Sequence, residues 1–428
     1  MAHSNTALRV SNAEAARSEE GAKRRLLKSR KLSLVVDLDQ TVIQACVDPT
    51  VGMWQKDPSN PNYEALKDVS AFQLLEEGPG KGTWYYVKQR PGLTKFLEKI
   101  ATLYELHIYT MATRAYATQI AKVVDPEGVL FGDRILSRDE SGSQHLKSLR
   151  RLFPMDTKMV LIIDDRGDVW NWSENLVKVT PYSFFPVGDI NASFLPKRTD
   201  LAAPEPKTLP PTPPRPINVL DDEASSKDTV FSTENGKSDP HTNGTFSDAA
   251  YSTSTDGAAS TQENMGRSDD GESNLQQKEA QQEEVLAAQV HDRPLLQKQQ
   301  ALDKLVDDAN EQDAGKQLNG DKPQVNHVEN HHHHLPILRN DDTELEHLEK
   351  ALCAVHTEFF NSYDKSLAGV HGGRVAALRG EKPSKVRPND ELAIVPDVKI
   401  LMPAMKHRVL YGIGLTFSGV LPLGMNVL

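Results

Sequence analysis

The sequence predicts an α/β fold: a parallel sheet flanked by helices, with a β-rich insertion, followed by a disordered linker and further helices. Three observations carry this. The runs Leu32–Val36, Leu106–Tyr109 and Met159–Ile163 are short and densely apolar, as strands buried on both faces of a parallel sheet must be. Between them Leu93, Phe96, Leu97, Ile100 and Leu103 recur at helical spacing, and amphipathic stretches follow at Ala115–Val124 and Leu146–Phe153, giving a βαβ rhythm. Beyond residue 199 the composition changes. Residues 200–340 hold 12 Lys+Arg against 25 Asp+Glu and only three aromatics, Phe231, Phe246 and Tyr251. Such a stretch has too few large side chains to offset the entropy of ordering it.

Taken in order, residues 12–30 read as a helix carrying the basic cluster KRRLLKSR, either a nuclear-import signal or a solvated helix face. The sheet domain occupies 31–199. Within it, 46–88 is the insertion, with strand-like runs at Val69–Leu75 and Thr83–Lys88 around a GPGKG turn. Residues 200–274 form a Pro-rich and then Ser/Thr/Asp/Gly-rich linker. Residues 275–308 turn Gln/Glu/Leu-rich and predict two helices broken at Pro294, before a second linker over 309–340. The run His331–His334 in that linker is read as low complexity rather than a specific metal site. Residues 341–366 predict a helix, opened by a capping-box pattern at Thr343 and Glu346. Its seam of Leu345, Leu348, Leu352, Val355 and Phe359 must pack on something, and docking onto the chain's own folded part is the simpler expectation. A loop at 367–393 leads to 394–428. The last 20 residues carry no charge, but their glycines and Pro422 suit a core strand and loop better than a tail anchor.

Composition narrows the function classes. Cys46 and Cys353, 307 positions apart, exclude a disulfide scaffold and a cysteine zinc site. The net charge of −11 sits in the tether, and the other 287 residues balance to +2, so nothing supports a general nucleic-acid surface. No G-x-x-x-x-G-K-[ST] loop is present, which disfavours P-loop chemistry.

The stretch LSLVVDLDQT (32–41) is the most informative. An uncharged strand ends in Asp37, with Asp39 and Thr41 following at alternate positions. Ligands of open parallel sheets bind beyond the carboxyl ends of the strands. The second strand ends in Thr110 and the third in Asp164 and Asp165, while Lys147 lies on the helix expected between them. Several carboxylates gathered at one edge cannot all stay ionised without cations. Mg²⁺ with oxygen ligands answers that need, and with Lys147 and a hydroxyl it makes a receptor for a phosphoryl group. A carboxylate poised there can act as nucleophile and pass through an acyl phosphate.

DLDQT (37–41), Thr110, Lys147 and DD (164–165), with KQRPGL (88–93), YTMATRAYA (109–117), SRDESGS (137–143), KSLRRLFP (147–154) and DDRGDVW (164–170), resemble the haloacid-dehalogenase-like phosphohydrolases. Among them, the sequence is similar to the RNA polymerase II carboxy-terminal-domain phosphatases that associate with TFIIF. Small relatives of that group usually read DNSP where this chain reads DDRG, which favours the large nuclear form. The resemblance implies a Mg²⁺-dependent phosphoserine phosphatase acting in the nucleus on the polymerase heptad repeats. It makes Asp37 the nucleophile, Asp39 the general acid and base, Thr110 and Lys147 the phosphoryl holders, and Asp164 the residue orienting Lys147. Mg²⁺ would be held by Asp37, the Asp39 carbonyl and Asp165. Thr41, Arg90, Arg138 and Arg166 are candidates at the substrate, and the insertion would wall a groove for an extended peptide. The tail VLYGIGLTFSGVLPLG looks like an incomplete BRCT-like start, and the family's acidic TFIIF-binding tail is not found, so TFIIF is a partner by resemblance alone. Two alternatives stay open: a related phosphatase with another substrate, distinguished by a closed cap over the crevice, and a non-catalytic transcription scaffold. No membrane partner is expected.

Overall fold

Helix α1 (Asn12–Ser29) begins at Ser11, whose hydroxyl accepts the Glu14 amide, and ends with Arg30 in the left-handed region at φ 51°. The structure, a computed structural model, describes residues 11–75, 82–143, 146–195, 269–316, 335–370, 388–409 and 411–414. Four cations of the basic cluster are built into ion pairs: Lys23 with Asp156, Arg24 with Glu20, Arg25 with Glu105 and Arg30 with Asp364.

Strand β1 (Leu32–Val36) is buried along its whole length. The insertion follows as β2 (Ile43–Cys46), α2 (Thr50–Trp54), α3 (Tyr63–Leu66), β3 (Ser70–Leu74) and β4 (Thr83–Gln89). Its strands form an antiparallel sheet of order β2-β4-β3, so the β-rich insertion also contains two short helices. The chain then runs through α4 (Leu93–Ala101), β5 (Tyr104–Tyr109), α5 (Arg114–Val124), β6 (Ile135–Leu136), α6 (Arg138–Ser141), β7 (Val160–Asp164) and β8 (Leu176–Lys178). Together with β1, the last four of these strands make a parallel sheet of order β6-β5-β1-β7-β8. Leu34 of β1 lies in register with Leu106 on one side and Leu161 on the other. That central position lets the three apolar runs end at one rim.

One expected element is corrected. The helix over 146–153 is only a 3-10 turn at Leu149–Arg151, and Lys147 sits on extended chain before it. The Ser148 hydroxyl takes the Arg150 amide, while the Lys147 amide reaches out to the Val169 carbonyl, so the preceding turn cannot be helical.

Helix α7 (Asp269–Asp292) begins inside the expected 200–274 linker and α8 (Pro294–Lys316) runs into the expected 309–340 linker; the two are parted at Arg293, with φ 48°, before Pro294. The pair is fastened to the insertion. The buried Leu295 donates its amide to Asp48, Gln289 accepts from the Val47 amide, and Asn62 donates to Gln299 while accepting from the amides of Ile337 and Leu338. Among the described residues two more helices follow α9 (Glu344–Val370): the short α10 (Pro388–Ala393), inside the expected 367–393 loop, and α11 (Val398–Val409). Helix α9 buries Leu345, Leu348, Leu352, Val355 and Phe359 against α4 and α11. The seam therefore packs on the chain's own folded part, and the described residues belong to one compact unit. Leu352 has no exposure, so Leu352→Ala should cost about 2–5 kcal/mol in a denaturant unfolding experiment.

The run His331–His334, most of the 200–274 linker and residues 415–428 of the BRCT-like segment lie outside the described residues. Among the described residues no helix is long and apolar enough to cross a membrane.

Candidate active site

Strand β1 extends its ladder through the Asp37 amide, which donates to the Ile163 carbonyl. The chain then reverses sharply. The Leu38 carbonyl accepts from the amides of Thr41, Val42 and Ile43, and Gln40 adopts φ 59°, a left-handed conformation that costs energy in a residue with a side chain. This turn holds Asp37 and Asp39 on one side of the strand tip. Thr41 lies fully buried beneath them. Its hydroxyl lies 3.3 Å from Asp37 Oδ2 and accepts the Asp165 amide at 3.0 Å, tying the tips of β1 and β7 together. The sequence places Thr41 at the substrate; the structure turns it inward, to the support of the two aspartates.

Lys147 Nζ bridges Asp37 Oδ1 at 2.5 Å and Asp164 Oδ2 at 2.7 Å, with all three side chains buried. It lies over the faces of Tyr109 and Trp170, which shield it from water. Asp164 is heavily engaged: besides Lys147 it accepts from Trp170 Nε1 and from the Arg166 amide. Thr110 stands at the tip of β5, its hydroxyl oxygen accepting the Ala112 amide, which leaves the hydroxyl proton to donate.

Asp37, Asp164 and Asp165 each bring a carboxylate oxygen within 4.8 Å of the others, all buried. Burial, with the neighbouring Asp164 and Asp165, raises the Asp37 carboxyl well above the usual carboxylate range, against the pull of Lys147. Burial works to lower the Lys147 ammonium, but Asp164 and Asp37 together hold it up. Three carboxylates meet one ammonium, and Arg166, forked onto Asp168, adds its charge from beside the cluster. Hard oxygen donors gathered in this way fit a divalent cation.

Asp39 stands slightly apart. Tyr116 donates its hydroxyl to Asp39 Oδ1 at 2.6 Å, and Asn191 donates its amide to Oδ2 at 3.0 Å. Desolvation, with Asp189 nearby, pushes the Asp39 carboxyl up to about 7, and the Tyr116 hydrogen bond opposes this.

The structure thus brings together Asp37, Asp39, Thr110, Lys147, Asp164, Asp165 and Arg166 around one crevice. Arg90 is elsewhere. It is fully buried, forks onto Asp342 at 2.7 and 2.8 Å and donates to the Thr41 carbonyl, so it braces the β1 turn from behind. Arg138 lines a neighbouring groove of about 640 Å³ and stacks on the Phe194 ring. Three contributors are not legible in the sequence. Tyr116 and Trp170 sit inside the informative stretches YTMATRAYA and DDRGDVW, but nothing in their spacing assigns them to a carboxylate. Asn191 carries no local signal at all.

A parallel sheet with an insertion after its first strand and an acidic cluster at its strand tips defines a haloacid-dehalogenase-like fold. A model of the family described as NLI interacting factor-like phosphatase matches residues 32–201. The RNA polymerase II C-terminal domain phosphatase of Schizosaccharomyces pombe is 42% identical over 432 residues, covering 100% of this chain and 52% of that protein. Its Saccharomyces cerevisiae counterpart is 57% identical over 210 residues, 45% of this chain and 29% of that one. A solved structure described as Fcp1, an essential RNA polymerase II CTD phosphatase, matches with a TM-score of 0.60 and 36% identity, covering 96% of this chain and 80% of that one. The chain belongs to this RNA polymerase II C-terminal-domain phosphatase family. It spans about half the length of the Schizosaccharomyces pombe relative.

Proposed function

We propose that this chain is a Mg²⁺-dependent protein serine phosphatase that removes phosphate from the heptad-repeat C-terminal domain of RNA polymerase II, and so works in the nucleus. The observation that carries the reading is the buried Asp37–Lys147–Asp164 chain beside Asp165 and Asp39. A scaffold would gain nothing from burying that much like charge, and the relatives' substrate supplies the phosphoprotein.

Asp37 attacks phosphorus with a carboxylate oxygen, and as the new O–P bond forms the bond to the serine oxygen breaks. Asp39 gives its proton to that departing oxygen. Asp39, now ionised, takes a proton from water as the water oxygen bonds to phosphorus and the bond from phosphorus to the Asp37 oxygen breaks, releasing phosphate and regenerating Asp37. Lys147 has three donors, two of which hold Asp37 and Asp164, so the third is free to reach a phosphoryl oxygen beside the Thr110 hydroxyl. Asp164, occupied by three donors, orients Lys147. Asp37 and Asp165, with the Asp39 carbonyl, would hold Mg²⁺. When bound, the cation would balance the carboxylates and draw charge from the phosphoryl oxygens.

The groove beside the crevice supports a peptide over a small molecule. It shares Ala112 and Asn191 with the crevice and is walled by Leu74 and Tyr85 of the insertion, Tyr116 and Leu286. Arg138, at that wall, and Arg166, in the crevice, are the cations proposed to face substrate charge. Phosphate release from singly phosphorylated heptad-repeat peptides tests the reading. Release should require Mg²⁺ and stop on chelation; release indifferent to a chelator would remove the cation from the scheme.

A further inference from the structure

Asp39 is the group whose placement decides whether a serine oxygen can leave, and both of its oxygens are already held from the protein side, by Tyr116 and Asn191. Each carboxyl oxygen keeps a second lone pair, so an Asp39 fixed in this way can still carry its proton toward the crevice. The quality of the hold depends on Asn191 presenting its NH₂ and not its carbonyl oxygen. An amide turned the other way would set oxygen against oxygen.

What decides that orientation lies far away in sequence. Gln282, on the returning helix α7, places Nε2 at 3.2 Å from the Ile190 carbonyl and 3.1 Å from Asn191 Oδ1. The Ile190 carbonyl is a backbone acceptor and can only be met by a donor, so it fixes which end of the Gln282 amide faces this way. That same donor requires an acceptor from Asn191, which sends the Asn191 NH₂ to Asp39. Asn191 is buried at 5% exposure, and its backbone N–H is turned into Asp189 Oδ1, so the loop has little freedom of its own.

We propose that Gln282 and Asn191 are positioning residues that form a polarity relay from the Ile190 carbonyl to the Asp39 carboxyl, so that leaving-group protonation depends on helix α7 being docked against the 189–192 loop. The inference rests on the phosphatase reading and on Asp39 as its acid.

The test compares kcat/KM for a phosphoserine heptad peptide, whose alkoxide must be protonated to leave, with that for p-nitrophenyl phosphate, whose phenolate leaves unaided. Asn191→Ala should lower the peptide value by about 10–100-fold, a part of the roughly 10²–10⁴ that general acid catalysis supplies, while the aryl phosphate changes by less than about threefold. Gln282→Ala should show the same split more weakly. Gln282→Glu keeps the size of the side chain but sets an acceptor against two acceptors, so it should lose at least as much as the alanine variant; a packing role would leave it near wild type. Circular dichroism and thermal unfolding of each variant establish that it is folded. Equal losses on both substrates, or wild-type behaviour of Gln282→Glu and Asn191→Ala, would overturn the relay. A wild-type protein inactive on both substrates would overturn the phosphatase reading itself, and the relay with it.

Discussion

Asp37→Asn should reduce turnover of a phosphorylated heptad-repeat peptide by at least about 10⁴-fold, the scale on which loss of a nucleophile registers in enzymes that form covalent intermediates. Asparagine has the same shape and can keep its place above Thr41, but its amide cannot attack phosphorus. The fold should survive. Lys147 retains Asp164 at 2.7 Å, and removing one of three crowded carboxylates relieves repulsion that burial makes costly. Denaturant unfolding should therefore move by less than about 1 kcal/mol, the ordinary size of a point-mutation effect. Turnover surviving in a folded Asp37→Asn protein would remove Asp37 as the attacking group.

The second large effect concerns stability. Lys147 bonds to both Asp37 and Asp164, and all three are buried. Lys147→Met keeps the length and packing of the side chain while leaving those carboxylates uncompensated. Breaking a buried pair from one side costs about 3–5 kcal/mol, and urea unfolding in the presence of a chelator should show a loss of that order. The pH dependence carries a sign. Without Lys147 the folded-state pKa of Asp37 moves further above its unfolded value, so the folded state holds protons more tightly than the unfolded one. Stability is then lost as pH rises and the deficit shrinks as pH falls toward the unfolded carboxyl pKa of about 4. A double variant, Lys147→Met with Asp37→Asn, should recover part of the loss, because one of the stranded charges is gone. A deficit independent of pH, and additive with Asp37→Asn, would mean that Lys147 contributes packing and not charge.

These expectations show which parts of the molecule the chain states openly. Strands β1, β5 and β7 are written as apolar runs because both of their faces are covered, and the acids at their ends are visible because charge at the tip of such a run has few other uses. Strand β8 is short and half exposed, and β6 has only two residues, so neither leaves a periodic trace. Helix α6 is invisible in the sequence although Ser137 and Glu140 form a reciprocal capping box, since four residues are too few to show a helical stripe. Lys147 reads as helical because its neighbours are apolar at helical spacing; the Arg150 amide donating to the Ser148 hydroxyl and the Lys147 amide donating to the Val169 carbonyl decide otherwise. Thr41 and Arg90 lie in stretches that suggest contact with substrate, yet tertiary structure turns both toward the back of the β1 turn. Arg90 is matched there by Asp342, 252 positions away, a partnership no local pattern could announce. The hold on Asp39 is similar. Its donors come from α5 and from a loop past β8, and one of those is oriented by a helix beyond the linker.

We infer that a covalent phosphoryl group rests on Asp37 during the reaction. Borohydride reduces an aspartyl-phosphate to homoserine, so quenching the protein during turnover of a phosphoserine heptad peptide with Mg²⁺, followed by peptide mass spectrometry, reads the site directly. Homoserine should be found at position 37, only when substrate is present, and nowhere in a sample without it. Sustained phosphate release with no reduced residue at position 37, or with the reduction found at another carboxylate, would exclude Asp37 as the group that carries the phosphoryl.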